Sequence, residues 1–257
     1  MKLVAVLQAR CSSRRLPGKV MKPILGKPML LRQIERLHRV RRLDGLIVAT
    51  SADPSDDLLA AACMAEGIDC FRGSLDDVLD RFYRAALSCR ATDVVRLTGD
   101  CPLADPAVID HVIERYREAG VDYASNALVP SYPDGLDAEA FRFAALEAAW
   151  KEAALPSERE HVTPFLYNHP ERFRILPVIA EHDLSALRWT VDHPDDLVHV
   201  QDLVQAHFAA VGKPVAATGF DRFDLMRVLE TREVAPPGQH MRNEGYAKSL
   251  AAEAGKV

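Results

Sequence analysis

A chain of 257 residues, 48% hydrophobic and 27% charged, has the make-up of a soluble globular protein and is of ordinary size for one elaborated α/β domain. Its net charge of −5 excludes a general nucleic-acid-binding surface, and no apolar run approaches the ~18 residues of a membrane span. The five cysteines are odd in number and form no Cys-x-x-Cys pair, which points to a reducing cytoplasm and away from a zinc site or disulfide framework.

The first strand is expected at 2–7, an apolar run with the branching of a buried strand, and it starts too early to leave room for a signal peptide. Directly after it comes Gln8-Ala9-Arg10-Cys11-Ser12-Ser13-Arg14-Arg15-Leu16-Pro17-Gly18-Lys19. A loop at the carboxyl end of the first parallel strand is where open α/β sheets bind ligands. Its backbone N–H groups, Ser12 and Ser13, together with Arg10, Arg14, Arg15 and Lys19, suit a polyanion such as a nucleoside triphosphate. The alternative is a solvated basic turn.

Strands at 45–50, 69–71, 93–98 and 122–125 then alternate with helices at 28–40, 55–66, 75–89 and 106–119. Ser55 and Asp105-Pro106 read as helix starts, and Gly67 and Gly120 as stops. Such alternation implies a mostly parallel central sheet flanked by helices. The pattern changes after Asn126: a loop at 127–137, a strand at 136–141, helices at 142–154 and 157–168, and a strand at 173–177. It resumes with a strand at 187–191 and a helix at 194–211. Residues 127–186 read as an inserted α+β segment covering the site, and 219–257 as a helical tail broken at Pro236-Pro237-Gly238.

Two strand ends carry acid. Thr98-Gly99-Asp100-Cys101-Pro102 and Trp189-Thr190-Val191-Asp192-His193-Pro194 place Asp100 and Asp192 at the tips of different strands, able to converge on one ion beside the basic loop. Mg2+ suits hard oxygen ligands shared with phosphates; the alternative is that each aspartate caps the following helix. His193 is read as lying outside the metal's ligands, Cys11 and Cys101 as small fillers, and Trp189 as core packing.

These pieces, in this order, resemble the cytidylyltransferase family that makes CMP-activated acid sugars, including the CMP-Kdo and CMP-neuraminate synthetases, and above all its spore-coat polysaccharide branch. The matching blocks continue through Arg72-Gly73-Ser74, Asp77-Val78-Leu79-Asp80-Arg81-Phe82, Tyr132-Pro133-Asp134-Gly135-Leu136-Asp137, Glu158-Arg159-Glu160-His161-Val162-Thr163 and Arg188-Trp189-Thr190-Val191-Asp192. A weak extension reaches Asn243-Glu244-Gly245-Tyr246. The larger synthetases open with Pro-Ala-Arg, whereas Gln8 stands here in the proline position.

The resemblance implies a Rossmann-like, glycosyltransferase-A-type nucleotidyltransferase fold over 1–257, CTP as donor, Mg2+ as cofactor, an acid-sugar acceptor and a homodimer through 127–186. Arg10 and Lys19 would be catalytic and bind the triphosphate, with Ala9, Ser12, Ser13 and Arg14 around them. Arg72, Gly73, Ser74, Asp80 and Arg81 would border the nucleotide, and Asp100 and Asp192 would hold the metal. Asp80 and Arg81 have a plainer reading as helix-start and surface groups. On the acceptor side, Asp137 and Glu139 alternate on a strand and can both face sugar hydroxyls. Arg159, His161 and Arg188 are candidates for a sugar carboxylate, with surface or inter-subunit ion pairing as the alternative for Arg159 and His161. A glycosyltransferase using a sugar nucleotide, and a non-catalytic nucleotide-sugar binder, are the competing readings; no Asp-x-Asp tripeptide supports the former.

Overall fold

The computed structural model describes residues 2–212 and 219–255, so the last two residues of the expected tail lie outside the described residues. In chain order the strands are β1 (Leu3–Gln8), β2 (Pro23–Ile24), β3 (Lys27–Pro28), β4 (Gly45–Ser51), β5 (Cys70–Gly73), β6 (Asp93–Thr98), β7 (Tyr123–Ser125), β8 (Glu139–Arg142) and β9 (Ile175–Pro177). The helices are α1 (Met29–Leu37), α2 (Asp57–Ala65), α3 (Val78–Ser88), α4 (Pro106–Ala119), α5 (Phe143–Glu152), α6 (Pro156–His161), α7 (Pro164–Tyr167), α8 (Pro194–Val211), α9 (Arg222–Thr231) and α10 (Glu244–Ala254). Short 3-10 turns lie at Lys19–Met21 and Pro54–Asp56.

Seven strands form one sheet in the order β5-β4-β1-β6-β8-β7-β9. Only β8 runs against its neighbours β6 and β7; the other pairings are parallel. β1 is central, and its side chains alternate between two cores, as the period of a strand requires. Leu3, Ala5 and Leu7 face α1, α4 and α8 through Ile34, Val112 and Leu203. Val4 and Val6 face α3 and α5 through Phe82 and Leu146. Each fully buried aliphatic side chain contributes roughly 1.5–3 kcal/mol, so covering both faces is what holds the parallel strands.

Four local expectations are corrected. Segment 187–191 is not a strand: β6 already has β1 and β8 beside it, and this segment bonds instead to loops, Trp189 N–H to the Asp134 carbonyl (2.6 Å) and Val191 N–H to the Asp100 carbonyl (2.8 Å). Asp137 precedes β8, because the Asn126 side chain takes over the pairing there, donating to the Leu136 carbonyl and accepting from Ala138 N–H. The expected helix 157–168 breaks into α6 and α7 at Val162 (φ 73°), just before Pro164. Near Ser55 the cap is Asp53, which accepts from Ser55 N–H at 2.9 Å; Asp56 turns inward. Trp189 is fully buried in the core, as expected.

Gly135 permits the loop crossing. Its φ of +106° is one that side chains resist, and a Cβ there would meet Thr190 N at 2.5 Å and Trp189 C at 2.6 Å. Gly135→Ala is expected to push 188–192 away, lowering stability by about 1–3 kcal/mol in urea unfolding and reducing turnover in the same preparation.

Candidate active site

The site lies at the carboxyl ends of β1 and β6. Gly99 N–H donates to the Gln8 carbonyl at 2.8 Å, and a Cβ on Gly99 would stand 2.8 Å from that of Ala9, so only glycine lets the two strand ends close. The loop after β1 is pinned at its base by Asp56, which is completely buried and accepts from Cys11 N–H (2.6 Å) and Ser51 N–H (3.0 Å). Gly18 N–H then returns to the Cys11 carbonyl, closing the loop so that Lys19 points into the site from the 3-10 turn.

Lys19 Nζ lies 3.0 Å from Asp100 Oδ2, 2.8 Å from Asp192 Oδ1 and 2.9 Å from the Val191 carbonyl. One ammonium therefore gathers both aspartates. Burial works against its charge, but Asp100 and then Asp192 outweigh it and hold the Lys19 pKa above its usual value. Burial likewise opposes ionisation of Asp100, yet Lys19 holds it well below the usual carboxylate range. Asp100 is thus anionic at neutral pH. Two hard oxygen donors already spaced around a cation fit Mg2+, whose binding would bring Asp100 and Asp192 into use. Among the described residues a preassembled trio of metal-capable groups occurs at Asp195, Asp196 and His240. There Asp196 is already saturated by Arg188 and two backbone N–H groups.

On the nucleotide side, Arg10 and Arg81 donate to the same Leu75 carbonyl, at 3.5 and 3.3 Å. Arg10 is also 3.6 Å from Glu160. Arg81 is fully buried, yet its Nε and Nη2 have no partner; Ser12 Oγ and Gln8 Oε1 are likewise buried and unpaired. Orphaned polar groups of this kind cost free energy unless something meets them, which marks this side as a place for a polar ligand. Burial lowers the Arg81 pKa to about 10, leaving it cationic at neutral pH. Ala9 is buried against Gly99, and Arg14 is exposed. Ser13 accepts from Leu16 N–H within the loop, and Ser74 from Asp77 N–H ahead of α3, while Gly73 ends β5 against the Arg81 stem.

Several expected contacts are committed to protein instead. Arg72 is tied to the Ser51 and Asp53 carbonyls and to Asp57. Asp80 accepts from Arg84 and from Trp150 Nε1 (2.8 Å), joining α3 to α5. Arg159 is drawn to Asp77 (2.6 Å) and the Trp150 carbonyl. Glu139 is filled by Arg96 (2.6 Å), Tyr123 Oη (2.8 Å) and Thr163 Oγ1 (3.0 Å), which leaves it a buried hub rather than an open acceptor. His161 lies 3.1 Å from Ser249 Oγ, and burial pushes its pKa down to about 4; a neutral imidazole offers no cation to a sugar carboxylate at pH 7. His193 stacks on His240 at 3.6 Å, outside the Lys19 cluster. Burial, reinforced by Asp56, raises the Cys11 thiol to about 11, and burial raises Cys101 well above its usual value, so neither supplies a thiolate.

A row of alternating charges runs on from Asp192. Arg188 lies 3.7 Å from Asp192, donates to Asp134 at 2.6 Å, and donates two hydrogen bonds to buried Asp196 at 2.8 and 2.9 Å. Beyond Asp134 come Arg242 and Asp137, joined by a hydrogen bond. Arg15 bridges Asp192 (2.5 Å) to Glu244 (3.1 Å). Asp134, Asp196, Arg242 and Glu244 were not anticipated as site residues. Asp134 and Glu244 fall inside blocks of the family resemblance, but nothing local marks Asp196 or Arg242.

Burial first, then Asp134 and Glu139, raise the Asp137 carboxyl to about 7 against the pull of Arg242. An acid raised from about 3.9 binds more protons folded than unfolded, so its contribution falls as pH climbs from about 4 to 7 and is flat above. Asp137→Asn removes that titration. The stability of the wild type relative to the variant is therefore expected to decline between about pH 4 and 7, measured by urea unfolding across pH.

Comparison with known proteins agrees with this geometry. The cytidylyltransferase family description matches residues 4–211. The spore coat polysaccharide biosynthesis protein SpsF of Bacillus subtilis is 35% identical over 213 residues, 79% of this chain and 86% of that protein. A 3-deoxy-manno-octulosonate cytidylyltransferase of Geobacter metallireducens is 35% identical over 115 residues, 44% of each chain. The solved structure of a cytidylyltransferase from Leptospira borgpetersenii superimposes with a TM-score of 0.83 at 28% identity, covering 94% of this chain and 99% of that one. With its family description spanning most of the sequence and its fold superimposing on a solved cytidylyltransferase over 94% of the chain, the chain belongs to the cytidylyltransferase family.

Proposed function

We propose that this protein transfers CMP from CTP to a hydroxyl of an acid sugar of the 2-keto-3-deoxy or nonulosonate type, releasing pyrophosphate, with Mg2+ as cofactor. The observation that carries the reading is the meeting of Lys19, Asp100 and Asp192 on one point, at the mouth of a loop lined by Arg10, Arg15 and orphaned polar groups.

In this reaction the acceptor oxygen bonds to the α-phosphorus, the bond from that phosphorus to the pyrophosphate oxygen breaks, and the hydroxyl proton leaves for solvent. Phosphoryl chemistry of this kind asks the protein mainly to align groups and stabilise charge. Lys19 and Arg10 neutralise the phosphate oxygens and the leaving pyrophosphate. Arg81 and Ser12 supply polar groups to the nucleotide. Mg2+ held at the site would supply Lewis-acid stabilisation of the charge that develops on phosphate and acceptor oxygen. Asp100 and Asp192 are its ligands in this proposal.

The SpsF relative supports a role in cell-surface polysaccharide synthesis, and five unpaired thiols suit a cytoplasmic setting. No helix among the described residues is long and apolar enough to cross a membrane. A homodimer through 127–186 is part of the proposal; Val129, Leu155 and Ile179 leave large apolar side chains exposed there, and light scattering tests it.

Incubation with each nucleoside triphosphate, Mg2+ and a panel of 2-keto-3-deoxy sugar acids, read by pyrophosphate release, decides the function. CTP-dependent release with an acid sugar is the expected result. Turnover of a sugar nucleotide without any use of CTP would overturn it.

A further inference from the structure

The tail crosses back over the acceptor end of the site. Arg242 enters ahead of α10, donates to the Tyr132 carbonyl at 3.0 Å, hydrogen-bonds Asp137 and stands 3.8 Å from Asp134. Its Nε–H is buried and makes no hydrogen bond, and this is the atom that faces Asp134 Oδ1 at 3.8 Å. On either side the segment is anchored. His240 stacks on His193 and pairs with Asp195, Glu244 holds Arg15, and Tyr246 meets His161 edge-on at 5.2 Å. Arg242 is thus a fixed guanidinium, separated from Asp192 along the charge row by Arg188 and Asp134, with one donor that makes no hydrogen bond. It lies outside the residues the family description covers.

We infer that Arg242 is the residue that binds the carboxylate of the acceptor, the tail forming one wall of the acceptor cavity. The inference rests on the cytidylyl-transfer reading and deepens it. Of the cations expected to meet a sugar carboxylate, Arg159 is held by Asp77, His161 is neutral, and Arg188 is shared between Asp196 and Asp134. Arg242 alone among these keeps a buried N–H that makes no hydrogen bond, only a 3.8 Å approach to Asp134, and a guanidinium fork matches a carboxylate in two parallel hydrogen bonds. An incoming acid competes with Asp137 for it. Burial raises that carboxyl to about 7, so Asp137 can take up a proton as the acceptor's anion displaces it.

The test compares the acid sugar giving the greatest turnover with its C1 carboxamide, in the wild type and in Arg242→Ala. Loss of a charge-assisted pair is expected to raise KM for the acid roughly 10- to 100-fold, while KM for CTP and for the amide stays near the wild-type value. Arg242→Lys, which keeps the charge and loses the fork, should give an intermediate acid-to-amide ratio at unchanged Tm, and carries the test if the alanine variant does not fold. An equal loss on acid and amide, or an unchanged ratio, would leave Arg242 a clamp for the tail and overturn the inference. Wild-type turnover with neutral polyols only overturns it while leaving cytidylyl transfer standing. No CTP turnover with any acceptor overturns both.

Discussion

Lys19→Met is expected to lower kcat/KM by about two to three orders of magnitude, equivalent to roughly 3–4 kcal/mol of transition-state stabilisation, with the fold retained. Among the described residues the ammonium is the one group within 3.0 Å of both Asp100 and Asp192, so its loss removes the cation between them and leaves Asp192 to Arg15 at 2.5 Å and Arg188 at 3.7 Å. Both aspartates are partly exposed, at 29% and 19% of the side chain, so solvent screens much of their repulsion and the loss of stability should be modest. The pair should then call for another cation. Tm of the variant is expected to rise on adding Mg2+ by more than that of the wild type. Equal Mg2+ responses would mean that the aspartates are not a cation site, and wild-type turnover would remove Lys19 from catalysis.

The second large effect is on stability. Arg188→Met keeps much of the side-chain stem but leaves Asp196, 1% exposed, without its cation, and Asp134 with Arg242 alone at 3.8 Å. Removing one member of a buried, hydrogen-bonded ion pair costs about 3–5 kcal/mol, because the charge left behind is neither solvated nor paired. Urea unfolding should show that loss, and adding Asp196→Asn should restore part of it. An amide no longer needs a counter-charge, and its oxygen still accepts from the backbone at residues 192 and 193. A loss below about 1 kcal/mol would instead favour Arg188 as an acceptor-binding group that the fold can spare.

The sheet was legible because its strands are short apolar runs separated by helix caps and stops, and those local rules agree with the final packing. The same rule failed at 187–191. The residues there read as a buried strand and Trp189 is indeed in the core, but β6 is already flanked by β1 and β8, and their N–H groups go to the loops at Asp134 and Asp100. For the site, one strand end was informative: Asp100 follows β6, whereas Asp192 reaches the same place on a loop segment, and Lys19 meets them across 81 and 173 residues. Glu139 misled because alternation on a strand says which face a carboxylate takes, not that Arg96, Tyr123 and Thr163 wait there. Arg242 was invisible for a related reason. It meets Asp137 from 105 residues away, after Pro236-Pro237-Gly238, and an arginine in such a segment looks like any solvated charge.

The alternating row Lys19, Asp192, Arg188, Asp134, Arg242 and Asp137 couples the two halves of the cleft. Each interior member is balanced by the groups on both sides of it, so neighbouring replacements will not sum, and thermodynamic cycles along the row should return interaction energies of order 0.5–3 kcal/mol. Under the proposed reaction, retuning the protein toward a different acceptor therefore means exchanging charges in compensated pairs, since a lone swap at the Asp137 end disturbs the balance felt at Lys19.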